Sequence, residues 1–355
     1  MKSLFSLTRF IQFWRAVAFV ALSAFIMTVG SEKMYWYIQG LGAAGDASLL
    51  VLVYMMPVLV ALWFVARGGT TLAGLIIAGA TFGWVVEGVI TAELYGDGPI
   101  GPFFPSYFAG WHGLLSLVTL WYLFRKWAVA GNRWLLGSTA AALGVFWGWW
   151  SMSYWLPDAI DDPDLVEAGF DVGVWTADKF AAYAFIVGGA LATAHWLIGY
   201  VWPDRWCPSK RWTVISLGLI TLMAGPVLLG VPWGVLKLGA LLGIAWWANH
   251  RRPSDEPTVF SALRGRASVA DVAPILVMPL TASMVYTIGL AVRPGDAVLS
   301  ILSFWIPTTL VAFAGGAAVL WAVRQRRRET TAAMDSQLPK TPGLETSQQE
   351  PQTSS

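Results

Sequence analysis

The sequence predicts an all-α polytopic membrane protein with about ten transmembrane helices and both termini in the cytoplasm. Three observations lead there. The chain is 56% hydrophobic and only 12% charged, where a soluble domain carries about 25% charged residues. Apolar runs of about 20 residues, each long enough to cross a bilayer as a helix, recur along its length. Basic residues then fall on alternate connections between those runs.

In order, the runs are Ile11–Gly30, Ala47–Ala66, Thr71–Thr91, Tyr107–Phe124, Trp134–Trp155, Phe180–Val201, Trp212–Leu229, Pro232–Ala248, Val272–Val292 and Val298–Val323. Unpaired backbone groups are too costly in lipid for these to be anything but helices. The alternating pattern of a membrane barrel is absent. The first run follows Lys2 and Arg9 but lacks a small-x-small cleavage site near Gly30, so it reads as an uncleaved helix. The seventh and eighth are separated only by Gly230-Val231-Pro232.

Charge tests the count. With the N-terminus inside, every one of the 23 Lys and Arg residues except Lys33, Lys179, Lys237 and Arg293 falls on a cytoplasmic segment. A wrong number of spans would scramble that asymmetry. Many of the 22 Trp sit at run ends, among them Trp14, Trp127, Trp134, Trp202, Trp212 and Trp246, where indole prefers the headgroup level. After Val323 the chain becomes basic and then polar, so 1–324 reads as the helical bundle and 325–355 as a disordered cytoplasmic tail.

Several function classes drop out. Cys207 is the sole cysteine, which removes internal disulfides and cysteine metal clusters. No phosphate-binding Gly-rich loop is present, and no basic folded domain that would bind nucleic acid. His112, His195 and His250 fall at three depths and cannot make one zinc site, so no metal ligands are assigned. No cofactor is indicated.

The outer side is acidic. Residues 157–179 form a long loop carrying Asp158, Asp161, Asp162, Asp164, Glu167, Asp171 and Asp178 against Lys179. The sharper signal is a pair inside the spans. Glu87 lies about one turn below the outer end of the third run, roughly 6–8 Å at the helical rise, and His112 lies equally deep at the start of the fourth. An ionisable group in a span faces the bundle interior or a water-filled cavity by default. Glu93, Tyr95 and Asp97 stand in the loop above, and Lys237 enters the eighth run at the same level.

These positions predict a polar pocket opening to the extracytoplasmic side. Glu87 and His112 are the candidate catalytic acid–base pair. Glu93, Tyr95, Asp97, Lys237 and Lys179 are candidate substrate contacts. The partners expected are the lipid bilayer and a lipid or small-molecule substrate, with a lipid- or isoprenoid-processing enzyme using the Glu87–His112 pair as the leading function. A structural tether is the alternative for the pair. For the whole chain the alternatives are a ten-helix secondary transporter and a structural or assembly subunit. A transporter places its sites near the midplane, whereas the buried charges here collect in the outer third.

Overall fold

A computed structural model describes residues 7–34, 44–96, 101–161, 173–203, 210–249 and 257–337. Helices make up 88% of the structure, and among the described residues there is no strand. The architecture is that of an all-α membrane protein. Six helices are long and apolar enough to cross a membrane, at 10–33, 48–67, 72–90, 177–201, 269–292 and 296–329.

Among the described residues the chain forms ten helical rods. α1 is Leu7–Thr28 extended by a π turn, Val29–Lys33. α2 is Ala44–Arg67. α3 is Leu72–Val85, extended by the π turn Val86–Ile90. α4 runs through Phe104–Phe108, a π stretch Ala109–Leu123 and Phe124–Val129. α5 is Arg133–Ser151, α6 Ala177–Val201, α7 Lys210–Gly230 and α8 Pro232–Asn249. α9 comprises Val269–Val272, Ala273–Leu276 and Val277–Val292. α10 comprises Asp296–Leu299, the π turn Ser300–Trp305 and Ile306–Gln337. α4 and α5 are rich in Trp, Tyr and Gly, which lower mean hydropathy.

Local sequence sets the helix starts. The Thr71 side chain accepts from Gly74 N at 3.1 Å and caps α3, and Asn132 accepts from Leu135 N at 3.1 Å and caps α5. Ser268 and Asp271 form a capping box at the start of α9. Pro57 sits inside α2, which neighbouring helices make tolerable in a bundle.

Side-chain contacts order the rods up and down. At one end meet the end of α1, the starts of α2, α4, α6 and α8, and the ends of α3, α5 and α9. There the Tyr183 hydroxyl donates to the Lys33 carbonyl, and Lys237 Nζ donates to the Leu94 carbonyl at 2.7 Å. Trp155 Nε1 donates to the Tyr286 hydroxyl at 2.8 Å. At the other end, Arg125 on α4 donates to the carbonyls of His195 and Gly265. Arg133 pairs with Asp271 at 2.9 Å, and Arg326 donates to the Ala248 carbonyl at 3.3 Å. Basic residues crowd this second end.

α3 is the centre of the bundle: 94% of its apolar window is buried inside the protein. It packs on α2, α4, α8 and α10. Its contact with α4 is a glycine seam. A Cβ on Gly79 would stand 2.8 Å from the Gly113 carbonyl oxygen, and one on Gly83 would overlap the Phe108 carbonyl. Small residues spaced four apart let two backbones touch in this way.

The last helix does not stop near Val323 but continues to Gln337, into the segment that the sequence suggests is disordered. Its extension is anchored by Arg326, which also pairs with Glu329 at 2.7 Å across one turn; residues 338–355 lie outside the described residues. Of the acidic loop 157–179, residues 162–172 lie outside them too, and the remainder includes the turn Pro157–Ile160 and the start of α6.

Candidate functional site

Glu87 and His112 meet. The His112 Nε2 contacts Glu87 Oε1 in a hydrogen-bonded pair, with Glu87 only 5% and His112 1% exposed. The glycine seam is the cause, because close backbones leave the two side chains no other place to go. Gly83 lies one turn before Glu87, and its absent side chain makes room for the His112 Cβ, 3.1 Å from where a Cβ would be.

A third ionisable group joins them. Glu32, on the π turn ending α1, brings its carboxylate into the same cluster, and one ligand-type atom from each of Glu32, Glu87 and His112 lies within 4.8 Å of the others. The Tyr54 hydroxyl on α2 donates to Glu32 Oε1. The Thr91 hydroxyl donates to Glu87 Oε2 at 2.5 Å, which leaves Oε1 for the imidazole. Phe82 stands edge-on to His112 at 5.8 Å and to Tyr54 at 6.0 Å. Phe82 therefore gives the cluster one apolar wall.

Each member of the cluster lies on π-helical backbone. Val29–Lys33 carries Glu32, Val86–Ile90 carries Glu87, and Ala109–Leu123 carries His112. The bonds Met34 N to Val29 O at 2.9 Å and Thr91 N to Val86 O at 3.4 Å each span five residues. A π turn costs hydrogen-bond geometry and recurs at functional sites. Three independent segments paying that cost at one point mark the cluster as the place where this fold departs from regular helix.

No protein-family model, curated protein or solved structure matches this chain.

The remaining sequence candidates surround the cluster in different ways. Tyr95 folds down on the π turn of α3, its hydroxyl donating to the Gly88 carbonyl at 2.8 Å; burial pushes its pKa up. Lys237 reaches the hairpin backbone, donating to the carbonyls of Leu94 at 2.7 Å and Gly101 at 3.4 Å. It braces the loop over the cluster. Lys179 Nζ stands 4.3 Å over the Trp175 ring, and Trp175 packs edge-on against Tyr183, which bonds the carbonyl next to Glu32. Asp97 lies outside the described residues.

Glu93 is the titrating group at the mouth. Its surface is exposed, but its carboxyl stands among many protein atoms. Desolvation first, then the negative charges of Glu87 and Glu32, raise its pKa to about 7, with His112 opposing.

The sequence alone does not single out Glu32 or Tyr54. It ends the first span at Gly30, which makes Glu32 look like a loop residue. The π turn carries the helix on to Lys33 and turns Glu32 inward. The available signal is proximity: Glu32 stands just past the outer end of its run, on the side where Glu87 lies. Tyr54 gives no signal of its own, since an aromatic residue inside an apolar run looks like core.

Proposed function

We propose that this is a ten-span protein of the plasma membrane, with both termini in the cytoplasm, that processes a lipid or isoprenoid at the outer leaflet. Glu87 and His112 serve as its general acid–base pair. The topology is supported by the up-and-down order of the rods and by the basic residues gathered at the end where Arg125, Arg133 and Arg326 lie. On this reading residues 1–324 form the working bundle and 325–355 a cytoplasmic extension.

The observation that carries the functional reading is the contact between a carboxylate and an imidazole, both buried, near one end of the bundle. A carboxylate held against an imidazole can pass a proton to and from a bound substrate. Leu94 and Tyr95 fold over the pair from the water side, braced by Lys237. A substrate from the bilayer, rather than from water, suits that cover. Glu93, Tyr95, Lys237 and Lys179 then act at the mouth, Glu93 and Tyr95 nearest the substrate headgroup. The depth of the pair, close to one end, argues against a transporter's midplane site.

The test compares membrane lipids from cells that lack the protein with cells that make the wild type, Glu87→Gln or His112→Gln at matched protein levels. One lipid species should depend on the wild type and be lost in both variants. A lipid profile that is the same with and without the protein would sink the proposal. Fusions of a cytoplasm-only reporter to each terminus test the topology: both must be active.

A further inference from the structure

We infer that Glu32, Glu87 and His112 bind one divalent first-row cation, of the Zn²⁺ or Mn²⁺ class, in the outer part of the bundle. The inference shares its site with the function proposed above, but it is argued and tested separately.

The donor set is the first argument. Two carboxylates and an imidazole offer ligand atoms within 4.8 Å of one another, so small side-chain shifts bring all three to one ion at the usual 2.0–2.2 Å. Mixed oxygen and imidazole donors suit Zn²⁺ and Mn²⁺ better than Ca²⁺, which takes six to eight oxygens. Three protein ligands also leave a coordination position open, the pattern of catalytic rather than structural zinc.

Charge is the second. Two carboxylates close together in a low-dielectric interior repel, and a cation between them relieves that repulsion directly.

The third is how the ligands are held. Each carboxylate has one oxygen fixed by a hydroxyl, Glu32 Oε1 by Tyr54 and Glu87 Oε2 by Thr91. That is the outer-shell arrangement that orients metal-bound carboxylates. It leaves the second oxygen of Glu32 for an ion, while Glu87 Oε1 and His112 Nε2, bonded to each other, would part to admit it.

The fourth is surplus polarity. His112 Nδ1 and Ser116 Oγ are buried without a hydrogen-bond partner among the described residues. Buried polar atoms in native proteins are seldom left so. The imidazole is held only through Nε2, the atom that faces the carboxylates. A pair built purely to tie helices together would not need a second carboxylate beside it.

Metal bound here would act as a Lewis acid and lower the pKa of a bound water. The experiment uses the full chain, purified in detergent and stripped with chelator. It is then loaded with Zn²⁺ or Mn²⁺, desalted and assayed for metal content, X-ray absorption and thermal unfolding. The wild type should hold one ion per chain, with a raised Tm and an absorption spectrum showing one imidazole among light-atom ligands. Glu32→Gln should bind at least about tenfold more weakly, the scale on which ligand-shell changes act. Asp271→Asn, a surface change at the opposite end, should bind as the wild type does.

A stripped wild type that takes up no ion would overturn the inference, as would Glu32→Gln binding like the wild type or a spectrum without imidazole. The wild-type spectrum decides even if the variant fails to fold. Metal binding with an unchanged lipid profile would refute the proposed enzyme and leave the metal site. A changed lipid profile without metal would do the reverse.

Discussion

Gly83 on α3 and His112 on α4 share the space of one side chain: a Cβ on Gly83 would stand 3.1 Å from the His112 Cβ and would overlap the Phe108 carbonyl. The missing methyl is what lets Glu87, one turn further along, reach the imidazole. Gly83→Ala should therefore separate the helices at the cluster. Overpacking of this kind costs about 1–3 kcal/mol, so Tm should fall in detergent. Gly189→Ala is the control, since a Cβ there meets nothing within 4 Å. Equal Tm for the two variants would show that the seam yields freely.

The seam rests on Gly79 and Gly83, four residues apart, and what they face is set by the packing of α3 on α4. The helical class, the alternation of charge and the depth of Glu87 and His112 all follow from composition and the helical rise. Glu32 was not legible, because its inward turn depends on a π turn that adds a residue to the helix. No periodicity rule forecasts such a turn. Lys237 was placed at the right level, yet its partners are backbone carbonyls of the hairpin, which carry no sequence signature. The last helix outran its apolar stretch because Arg326 finds both Glu329 and the Ala248 carbonyl, contacts that hydropathy does not register.

Lys237 braces the hairpin through Leu94 O and Gly101 O. Lys237→Met keeps the length of the stem and removes both bonds. The hairpin should then open more often, seen as faster cleavage by an added protease between Gly96 and Phe103, with little change in Tm. Unchanged cleavage would mean that Tyr95, through its bond to Gly88 O, holds the loop alone.

Glu93 gives the protein a pH dependence with a definite sign. Its folded pKa is about 7, against 4.5 as the ordinary value, so the folded state holds the proton more tightly than the unfolded chain. Stability from this group is complete below about pH 4.5 and is lost as pH rises through 7. Over that window the wild type should lose more Tm than Glu93→Gln. Because other groups titrate alike in both, the difference isolates Glu93. Parallel curves would show that the carboxyl is solvated. Glu87→Gln, which removes the largest neighbouring charge, should move the Glu93 transition to lower pH.

Tyr286 anchors the second face of the bundle, away from the cluster. Its buried hydroxyl accepts from Trp155 Nε1 at 2.8 Å and from Trp175 N at 3.0 Å, and donates to the Trp175 carbonyl at 3.3 Å. Its ring stacks on Phe180 at 4.0 Å. The hydroxyl thus ties the ends of α5 and α9 to the segment leading into α6. Tyr286→Phe preserves the stack and leaves two buried donors without an acceptor. The cost of such unsatisfied groups is about 1–3 kcal/mol. The loss should appear in thermal unfolding, while metal content should match the wild type because none of the three ligands touches this network. Loss of metal together with stability would mean that the two faces are coupled through α6, whose Tyr183 packs on Trp175 at 5.5 Å and bonds the carbonyl of Lys33.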